Sequence, residues 1–291
     1  MSHRFKILIK RVLPRRMMIY GLHRRSHGVW PNFRKQQTFS EKIAGRVLRP
    51  RKIYSPLSDK FFVREYVRQR AGGSYLTKLY DVISQAEDID LDKLPRSFAM
   101  KATHGSGWVK LVSDSSSIDR PEIVNTAASW LKLNYYKLGL ESHYDCIPPL
   151  VMFEELLINE GKLADDYKIH CFQKNGERRQ IVQVHTNRFT NHCVNLFDRD
   201  WRPLDVNHGH KRRPADGVDK PDNLDELLFV ANQLSSGFNY VRVDLYNIDG
   251  RIVFGELTFT PGAAKDKFDP PGMDSVWGTY FDSDEVCYQE E

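Results

Sequence analysis

Residues 240–262 of the 291-residue chain read YVRVDLYNIDGRIVFGELTFTPG and carry the clearest structural pattern in the sequence. Apolar and polar residues alternate over 241–245, a period typical of β-strands with one buried face, and residues 251–258 form a second strand-like run. The link 247–250 is short and ends in glycine, so we expect the two strands to pair as an antiparallel hairpin. The Pro-Gly pair at 261–262 then ends the second strand.

The two predicted strands collect polar side chains on one face. Arg242 and Asp244 share a face of the first strand, and Glu256 and Thr258 share a face of the second. A tight turn would bring Asp244 and Glu256 together. Two carboxylates with another oxygen ligand suit Mg²⁺, which proteins hold through a few carboxylates and substrate phosphates. The flanking residues are strongly apolar, which favours a metal site over the alternative of a solvent-facing hairpin.

A second hairpin is predicted upstream, with strands over 97–102 and 108–112. Its turn contains His104-Gly105-Ser106-Gly107, directly after Lys101 at the end of the first strand. Glycines allow a backbone to approach phosphate oxygens, and a nearby lysine supplies positive charge. The pattern GxxxxGK[ST] of a Walker loop does not occur. Taken alone, this segment is equally consistent with an ordinary hairpin turn.

The remaining segments alternate between helical and strand patterns. Carboxylates end a buried strand over 150–155 and precede a strand over 167–173. We expect the chain to be α+β, with antiparallel hairpins in place of regular βαβ units. Three helices are predicted: one from near Ser58, one from Pro121 to Gly139 and one over 223–235. The inward residues of the first are predicted to be Phe61, Phe62, Val63, Tyr66 and Val67. Residues 74–95 are predicted to be a mixed connection.

Composition limits the class of protein. Hydrophobic residues make up 41% of the chain, enough for one or two folded units. We find no uncharged apolar run long enough to cross a bilayer, and basic residues interrupt every apolar stretch near the N-terminus, which argues against a signal peptide. The four cysteines are far apart without CxxC spacing. This usage is typical of reduced thiols, so we predict a cytoplasmic protein.

Positive charge is concentrated at the N-terminus. Residues 1–52 contain 15 Lys or Arg and one acidic residue, whereas the whole chain has a net charge of +5. Apolar residues at 5, 8, 9, 12 and 13 have helical spacing among basic residues. We therefore predict a basic arm, either seated peripherally on an anionic membrane at its inner face or packed on the protein body. Nucleic acid is disfavoured, because no recognised binding motif follows.

The order of these motifs resembles that of the ATP-grasp superfamily, and their amino-acid sequences resemble its TupA-like branch, named for teichuronopeptide biosynthesis. The resemblance covers roughly residues 40–265. The phrases that carry it are Leu57-Ser58-Asp59-Lys60, Val63-Arg64-Glu65-Tyr66, Leu94-Pro95, Lys101 with 104–107, Asp166-Tyr167-Lys168, 241–246 and 255–262.

The resemblance implies a nucleotide, ATP with Mg²⁺, held between two α+β subdomains. It implies four segments: a basic arm (1–52), a helical segment (53–95), a small subdomain (96–149) and a C-terminal subdomain with the metal site (150–291). Lys101 would contact ATP phosphates, with His104, Gly105, Ser106 and Gly107 over them. Glu154 or Glu155 and the backbone of Leu156 and Leu157 would bind the adenine. Asp166 would bind the ribose and Lys168 a phosphate. The metal ligands would be Asp244, Glu256 and Thr258.

The resemblance also implies a reaction. ATP-grasp enzymes activate a carboxylate as an acyl phosphate that an amine then attacks, so Arg242 and Lys101 would act in catalysis. We expect a ligase that joins a uronic acid of a surface polysaccharide, such as a capsule, or its precursor to an amino acid or amine. The uronate would meet His185, Arg188, Arg212 and Arg213 within a His- and Arg-rich stretch that is otherwise a solvated loop. A sugar kinase and a non-catalytic glycan assembly protein remain alternatives.

Overall fold

The computed structural model describes residues 14–159, 162–163, 165–186, 193–209 and 218–284. Within these ranges the chain forms short helices before and between the strands of two main sheets. The α-helices are α1 (Arg15–His27), α2 (Phe39–Leu48), α3 (Tyr54–Ser58), α4 (Val63–Arg70), α5 (Arg120–Lys132), α6 (Tyr135–Leu138), α7 (Leu224–Ser235) and α8 (Met273–Gly278).

The strands pair antiparallel throughout the described part of the chain. They are β1 (Leu79–Ile83), β2 (Phe98–Ala102), β3 (Val109–Val112), β4 (Val151–Glu154), β5 (Ile158–Asn159), β6 (Lys162–Leu163), β7 (Asp165–Lys174), β8 (Glu177–Thr186), β9 (Cys193–Asp198), β10 (Asn207–His208), β11 (Tyr240–Ile248), β12 (Arg251–Thr258) and β13 (Phe268–Asp269). The prediction of an α+β chain with antiparallel hairpins is confirmed.

The large sheet has the order β12-β11-β7-β8-β9. One face is apolar because alternate residues of its strands, such as Val241 and Val243, point toward helix α7. Leu227 and Ala231 of that helix are buried in the same cluster. The predicted final hairpin is β11 and β12, and a turn at residues 175–176 joins β7 to β8. This face fixes the sheet and leaves the opposite face for polar side chains.

The opposite face is apolar at one end, where helix α2 covers it. Phe39 and Ile43 pack in one cluster with Phe172, Tyr240 and Trp277. The helix begins at a capping box between Thr38 and Glu41. Residues 39–48 of the predicted basic arm over 1–52 therefore belong to the core. The apolar stripe at 5–13 lies outside the described residues.

The small sheet has the order β1-β4-β2-β3. Helix α5 packs on it through Ile123 and Ala127, against Phe98, Met100 and Phe153. Strand β1 lies within the predicted mixed connection, and β4 lies beyond the predicted boundary at residue 149 although it pairs with β2. The small subdomain therefore includes these two strands, while the other segment boundaries stay predictions.

Two predicted helices differ in detail. The helix after Ser58 buries Val63 and Val67 as predicted, whereas Phe62 is 52% exposed, so the prediction was wrong for Phe62. The predicted helix from Pro121 to Gly139 is two helices, because Asn134 accepts a hydrogen bond from the backbone N–H of Lys137 and starts α6. The break sets Tyr135 beside the glycine turn. No helix in the described ranges has both the length and the apolar character needed to span a bilayer.

Candidate active site

Strands β11 and β12 bring four predicted residues together. Asp244 lies directly opposite Glu256, and Arg242 lies directly opposite Thr258. The register shifts just after Asp244, at Gly255. A Cβ on Gly255 would lie 3.1 Å from the carbonyl oxygen of Asp244, so glycine permits the close approach of the two strands here. The polar side chains consequently share one face, as the alternation predicts.

Arg242 links this group. Its Nε lies 2.6 Å from Oδ1 of Asp244, and its Nη2 lies 2.8 Å from Oδ2 of the same carboxylate. The same Nη2 is 3.1 Å from Oγ1 of Thr258 and 3.5 Å from Oε1 of Glu256. The Thr258 hydroxyl donates to Oε1 of Glu256 at 3.0 Å. One guanidinium thus holds both carboxylates within a single cluster.

Lys168 on the neighbouring strand β7 completes the cluster. Its Nζ lies 2.6 Å from Oδ2 of Asp244 and 2.8 Å from Oδ2 of Asp166. Burial opposes ionisation of Asp244, but the charges of Arg242 and Lys168 outweigh it and lower the pKa of Asp244 to about 2. The carboxylate is therefore fully ionised near neutral pH. We call Arg242, Asp244, Glu256, Thr258 and Lys168 the hairpin cluster.

A second polar group lies on the small sheet. Lys101 on β2 and Glu154 on β4 share a face, and Nζ of Lys101 forms an ion pair with Oε1 of Glu154. The hydroxyl of Thr77 donates to Oε2 of Glu154 at 2.5 Å, and Nη1 of Arg64 lies 3.7 Å from the same oxygen. Both carboxylate oxygens of Glu154 therefore have protein partners. This arrangement suits a role in positioning Lys101 better than a role in accepting a hydrogen bond from adenine.

Lys60 connects the two groups. Its Nζ donates to the carbonyl oxygen of Gly105 at 2.5 Å and lies 4.0 Å from Oε2 of Glu256. Burial lowers the pKa of Lys60, and the charge of Glu256 offsets part of this effect. The glycine turn thus lies beside the hairpin cluster, and its contact with phosphates stays a prediction.

The glycine turn is tightly packed on one side. A Cβ on Gly105 would lie 2.7 Å from the ring of Trp108. His104 is buried, and its Nε2 lies 3.0 Å from the carbonyl oxygen of Trp130 at the end of α5. Burial lowers the pKa of His104, which favours a neutral ring that donates to this carbonyl. His104 therefore tethers the turn, while Ser106 is exposed.

The predicted adenine segment follows β4. The carboxylate of Glu155 forms two bonds to the guanidinium of Arg251, at 2.7 and 2.8 Å, and so joins the small sheet to the final hairpin. Its backbone N–H donates to the carbonyl oxygen of Lys78. Leu156 and Leu157 are half-buried. Contact between adenine and the backbone of 156–157 stays a prediction.

The predicted uronate residues fall into two sets. Arg188, Arg212 and Arg213 lie outside the described residues. His185 is buried in strand β8, opposite Asp166, and is not part of a solvated loop. His208, from the same stretch, is buried against the ring of Phe268 at 4.4 Å. The two described histidines therefore pack in the fold, and uronate binding by the remaining residues stays a prediction.

Several site residues were not assigned a role from the sequence. Lys60 and Arg64 belong to the phrases that carry the family resemblance, and that was the available signal. Glu141 has no comparable signal. It accepts a hydrogen bond from the Thr260 hydroxyl at 2.5 Å, and burial raises its pKa. Tyr144 lies near Glu141 and Glu256, and burial raises its pKa well above the usual value.

The donor set is compatible with Mg²⁺ bound together with phosphates. No group of three or more His, Cys, Asp or Glu side chains converges on a metal position within the described ranges. Two opposed carboxylates and a hydroxyl are nevertheless what Mg²⁺ uses when phosphate oxygens and water supply the other ligands. The side chain of Glu256 is 33% exposed and that of Asp244 4%, so Glu256 is the more accessible ligand.

Comparison with known proteins identifies one family and several solved structures of low sequence identity. A family model described as TupA-like ATP-grasp matches residues 41–282. No curated protein matches the sequence. One similar solved structure is the D-alanine–D-alanine ligase of Helicobacter pylori, with 16% identity over 78% of this chain and 57% of that chain and a TM-score of 0.42. A second is the D-alanine–D-alanine ligase of Bacillus anthracis complexed with ATP, with 16% identity over 76% of this chain and 56% of that chain and a TM-score of 0.40. A third is the N5-carboxyaminoimidazole synthetase of Staphylococcus aureus complexed with ADP, with 12% identity over 72% of this chain and 46% of that chain and a TM-score of 0.38. The chain spans 46% to 57% of the length of these three proteins.

Proposed function

The chain belongs to the TupA-like ATP-grasp family, and on this premise we propose that it is an ATP- and Mg²⁺-dependent ligase that joins a carboxylate to an amine. The family match confirms the resemblance and the ATP-grasp fold expected from the sequence. The observation that supports the ligase most strongly is the hairpin cluster beside the glycine turn. There, Lys60 contacts Gly105 and lies near Glu256.

The proposed reaction has two steps. A carboxylate oxygen of the acceptor attacks the γ-phosphorus of ATP, and ADP leaves. An amine then attacks the acyl carbon, phosphate leaves with the electrons of the broken C–O bond, and the amine loses a proton. The energetic problem of the first step is the negative charge on the phosphoryl group, so the site must supply fixed positive charge.

The chain's own residues suit this task. Arg242 and Lys168 are held by Asp244, so their positions do not depend on a bound substrate. Lys101 is held in the same way by Glu154. Fixed cations stabilise developing charge without reorganisation during the reaction. Asp244, Glu256 and Thr258 would hold Mg²⁺, which neutralises phosphate charge and orients the transferred group when bound.

The identity of the acceptor is the finer part of the proposal. The branch's association with teichuronopeptide formation supports a uronic acid of a surface polysaccharide, or its precursor, as the carboxylate and an amino acid or amine as the nucleophile. The expected location is the cytoplasm or the inner face of a membrane, where such precursors are assembled. These assignments depend on the resemblance and on no contact within the described residues.

Product analysis tests the proposal. We expect ADP and phosphate to be released only when a uronic acid, an amine and Mg²⁺ are all present, with a new amide detected by mass spectrometry. Asp244→Asn should abolish this release. The matched control is Asp249→Asn, in the exposed turn of the same hairpin, which should retain it. A phosphorylated sugar without amide would instead establish the kinase alternative, and undiminished cellular function of Asp244→Asn would establish a non-catalytic role.

A further inference from the structure

A basic cavity of about 660 Å³ lies among α1, α2 and the segment that follows them. Seven of its lining residues are Lys or Arg, and one, Asp284, is acidic. The basic residues after α1 are Arg34, Lys42, Arg46, Arg49, Arg51 and Lys52. None of them belongs to the hairpin cluster or to the group around Glu154. We call this feature the basic cavity.

Two of the cations are built into the wall. Arg46 is 3% exposed and donates from Nη1 to the carbonyl oxygen of Tyr240 at 2.8 Å and from Nη2 to Oδ1 of Asp284 at 2.9 Å. Its Nε is buried and has no hydrogen-bond partner in the described part of the chain. Lys42 is buried too and donates to the carbonyl oxygen of Gly278 at 2.7 Å. Both cations bring positive charge into a wall in which Asp284 is the one acid among the described residues.

The described residues of the wall carry an excess of six positive charges, which is costly in one concave surface unless a ligand balances it. A single carboxylate would balance only a small part. Five of the seven basic residues are arginines, whose planar guanidinium groups bind phosphate through paired hydrogen bonds. The ligand should therefore be compact, carry several negative charges and offer phosphate oxygens.

The volume adds a second requirement. A cavity of about 660 Å³ is within the usual range of roughly 300–1,000 Å³ for small-molecule sites, and it is larger than a diphosphate group alone. Phe33 and Leu48 give part of the wall an apolar character. A diphosphate with an organic substituent satisfies both the charge and the shape.

We propose that the basic cavity binds a diphosphate ester, with the diphosphate held by the arginines and the substituent against the apolar wall. The ester has two possible sources, a nucleoside diphosphate sugar or a lipid-linked diphosphate. The site goes beyond the proposed ligase reaction, because it would bind its ligand whether or not an amide is formed.

The test uses the full chain and three exposed residues of the cavity. The variant Arg34→Gln/Arg51→Gln/Lys52→Gln removes three charges from the wall. The matched control, Arg25→Gln/Lys35→Gln/Arg199→Gln, removes three exposed charges that do not line it. Titration calorimetry with inorganic pyrophosphate and with UDP-glucose should show affinity reduced about tenfold or more in the cavity variant and little changed in the control.

Two further measurements separate this site from the nucleotide site. Lys101→Met should keep pyrophosphate binding, and the cavity variant should keep ATP turnover. Phosphatidylcholine vesicles that carry a polyprenyl diphosphate then report the lipid-linked source, and UDP-glucose reports the free one. If the triple variant folds poorly, Arg34→Gln alone replaces it in the test, and we expect a smaller loss of affinity for the same two ligands.

Three results would overturn the proposal. The first is equal pyrophosphate affinity in the wild type and the cavity variant. The second is an equal loss in the cavity variant and the control, which would mean a general charge effect. The third is a loss of binding confined to phosphatidylglycerol vesicles or to a polyuronate, because the cavity would then serve a membrane surface or an acidic glycan and not a diphosphate.

Discussion

Glu154 in the small sheet and Asp244 in the large sheet are both buried carboxylates held by two cations, yet their surroundings differ. Glu154 is paired with Lys101 and lies 3.7 Å from Arg64, and a threonine hydroxyl completes its bonds. Asp244 is paired with Arg242 and Lys168, and Glu256 lies directly opposite in the register. A second carboxylate would let the hairpin hold a metal ion, as proposed, whereas the lone Glu154 positions a lysine.

The comparison also explains how rigidity and access are divided. Asp244 is sealed by its partners, while Glu256 and Lys60 lie at the edge of the cluster. Buried ion pairs keep their side chains in fixed positions, although burying the charges costs desolvation free energy. Accessible charged groups can exchange one partner for another. We therefore expect changes at the sealed residues to affect both stability and turnover. Changes at the accessible residues should affect ligand binding alone.

The largest expected effect comes from Asp244→Asn. The change removes the carboxylate that Arg242 and Lys168 share and leaves them Glu256 and Asp166 as charged partners. Breaking a buried ion pair costs about 3 kcal/mol of stability. Turnover of ATP should fall by about a thousandfold, because the cations lose their fixed positions and the metal loses a ligand. Urea unfolding and ADP release measure the two effects. Wild-type stability in this variant, against the Asp249→Asn control, would show that Asp244 does not hold the cluster.

Lys101→Met should have a smaller effect that is confined to ATP. Glu154 keeps the Thr77 hydroxyl and remains near Arg64, so stability should change little. The value of kcat/KM for ATP should fall by about a hundredfold with the loss of a cation on the phosphates. Lys132→Met, on the exposed face of α5, is the control. Normal turnover by Lys101→Met would remove this lysine from the nucleotide site.

Acid should weaken the hairpin cluster. The pKa of Asp244 is lowered in the folded protein to about 2 from a usual value of 3.8, so its contribution to stability is complete above about pH 4. It is lost as the pH falls through about 2, and it amounts to about 2 kcal/mol. Urea midpoints of the wild type and Asp244→Asn should therefore converge as the pH falls. A constant difference down to about pH 2 would contradict the assignment.

Thr258→Val tests the accessible side of the cluster. The change removes a hydroxyl that bonds Glu256 and Arg242 and keeps the side-chain volume. The concentration of Mg²⁺ for half-maximal turnover should rise about tenfold, while Thr258→Ser should behave almost as the wild type. An unchanged Mg²⁺ dependence in Thr258→Val would place the metal elsewhere.

Local sequence patterns predicted the parts of the molecule that depend on local geometry. The two-residue spacing of Arg242 with Asp244 and of Glu256 with Thr258, in strands joined by a short turn, was sufficient to place these four residues on one face. Strand β1 was missed because Leu79–Ile83 does not alternate, and its assignment depends on pairing with β4. The break at Asn134 was missed because an apolar helical spacing continued through it.

Contacts between distant segments were beyond the sequence. Lys60 reaches Gly105, 45 positions away, and Thr77 reaches Glu154, 77 positions away. The role of residues 39–48 was misjudged because their positive charge outweighed their apolar face in the composition. Phe39 and Ile43 become core residues only against Tyr240 and Trp277. Tertiary packing decided these cases.

Binding of ATP with and without Mg²⁺, compared in the wild type, Glu256→Gln and Lys101→Met, tests most directly whether the two clusters form one nucleotide site. We expect Mg²⁺ to tighten ATP binding in the wild type. Lys101→Met should weaken binding under both conditions, and Glu256→Gln should remove the gain from Mg²⁺ while leaving metal-free binding intact. A full Mg²⁺-dependent gain in Glu256→Gln would contradict the account, because the metal would then not be held by the final hairpin.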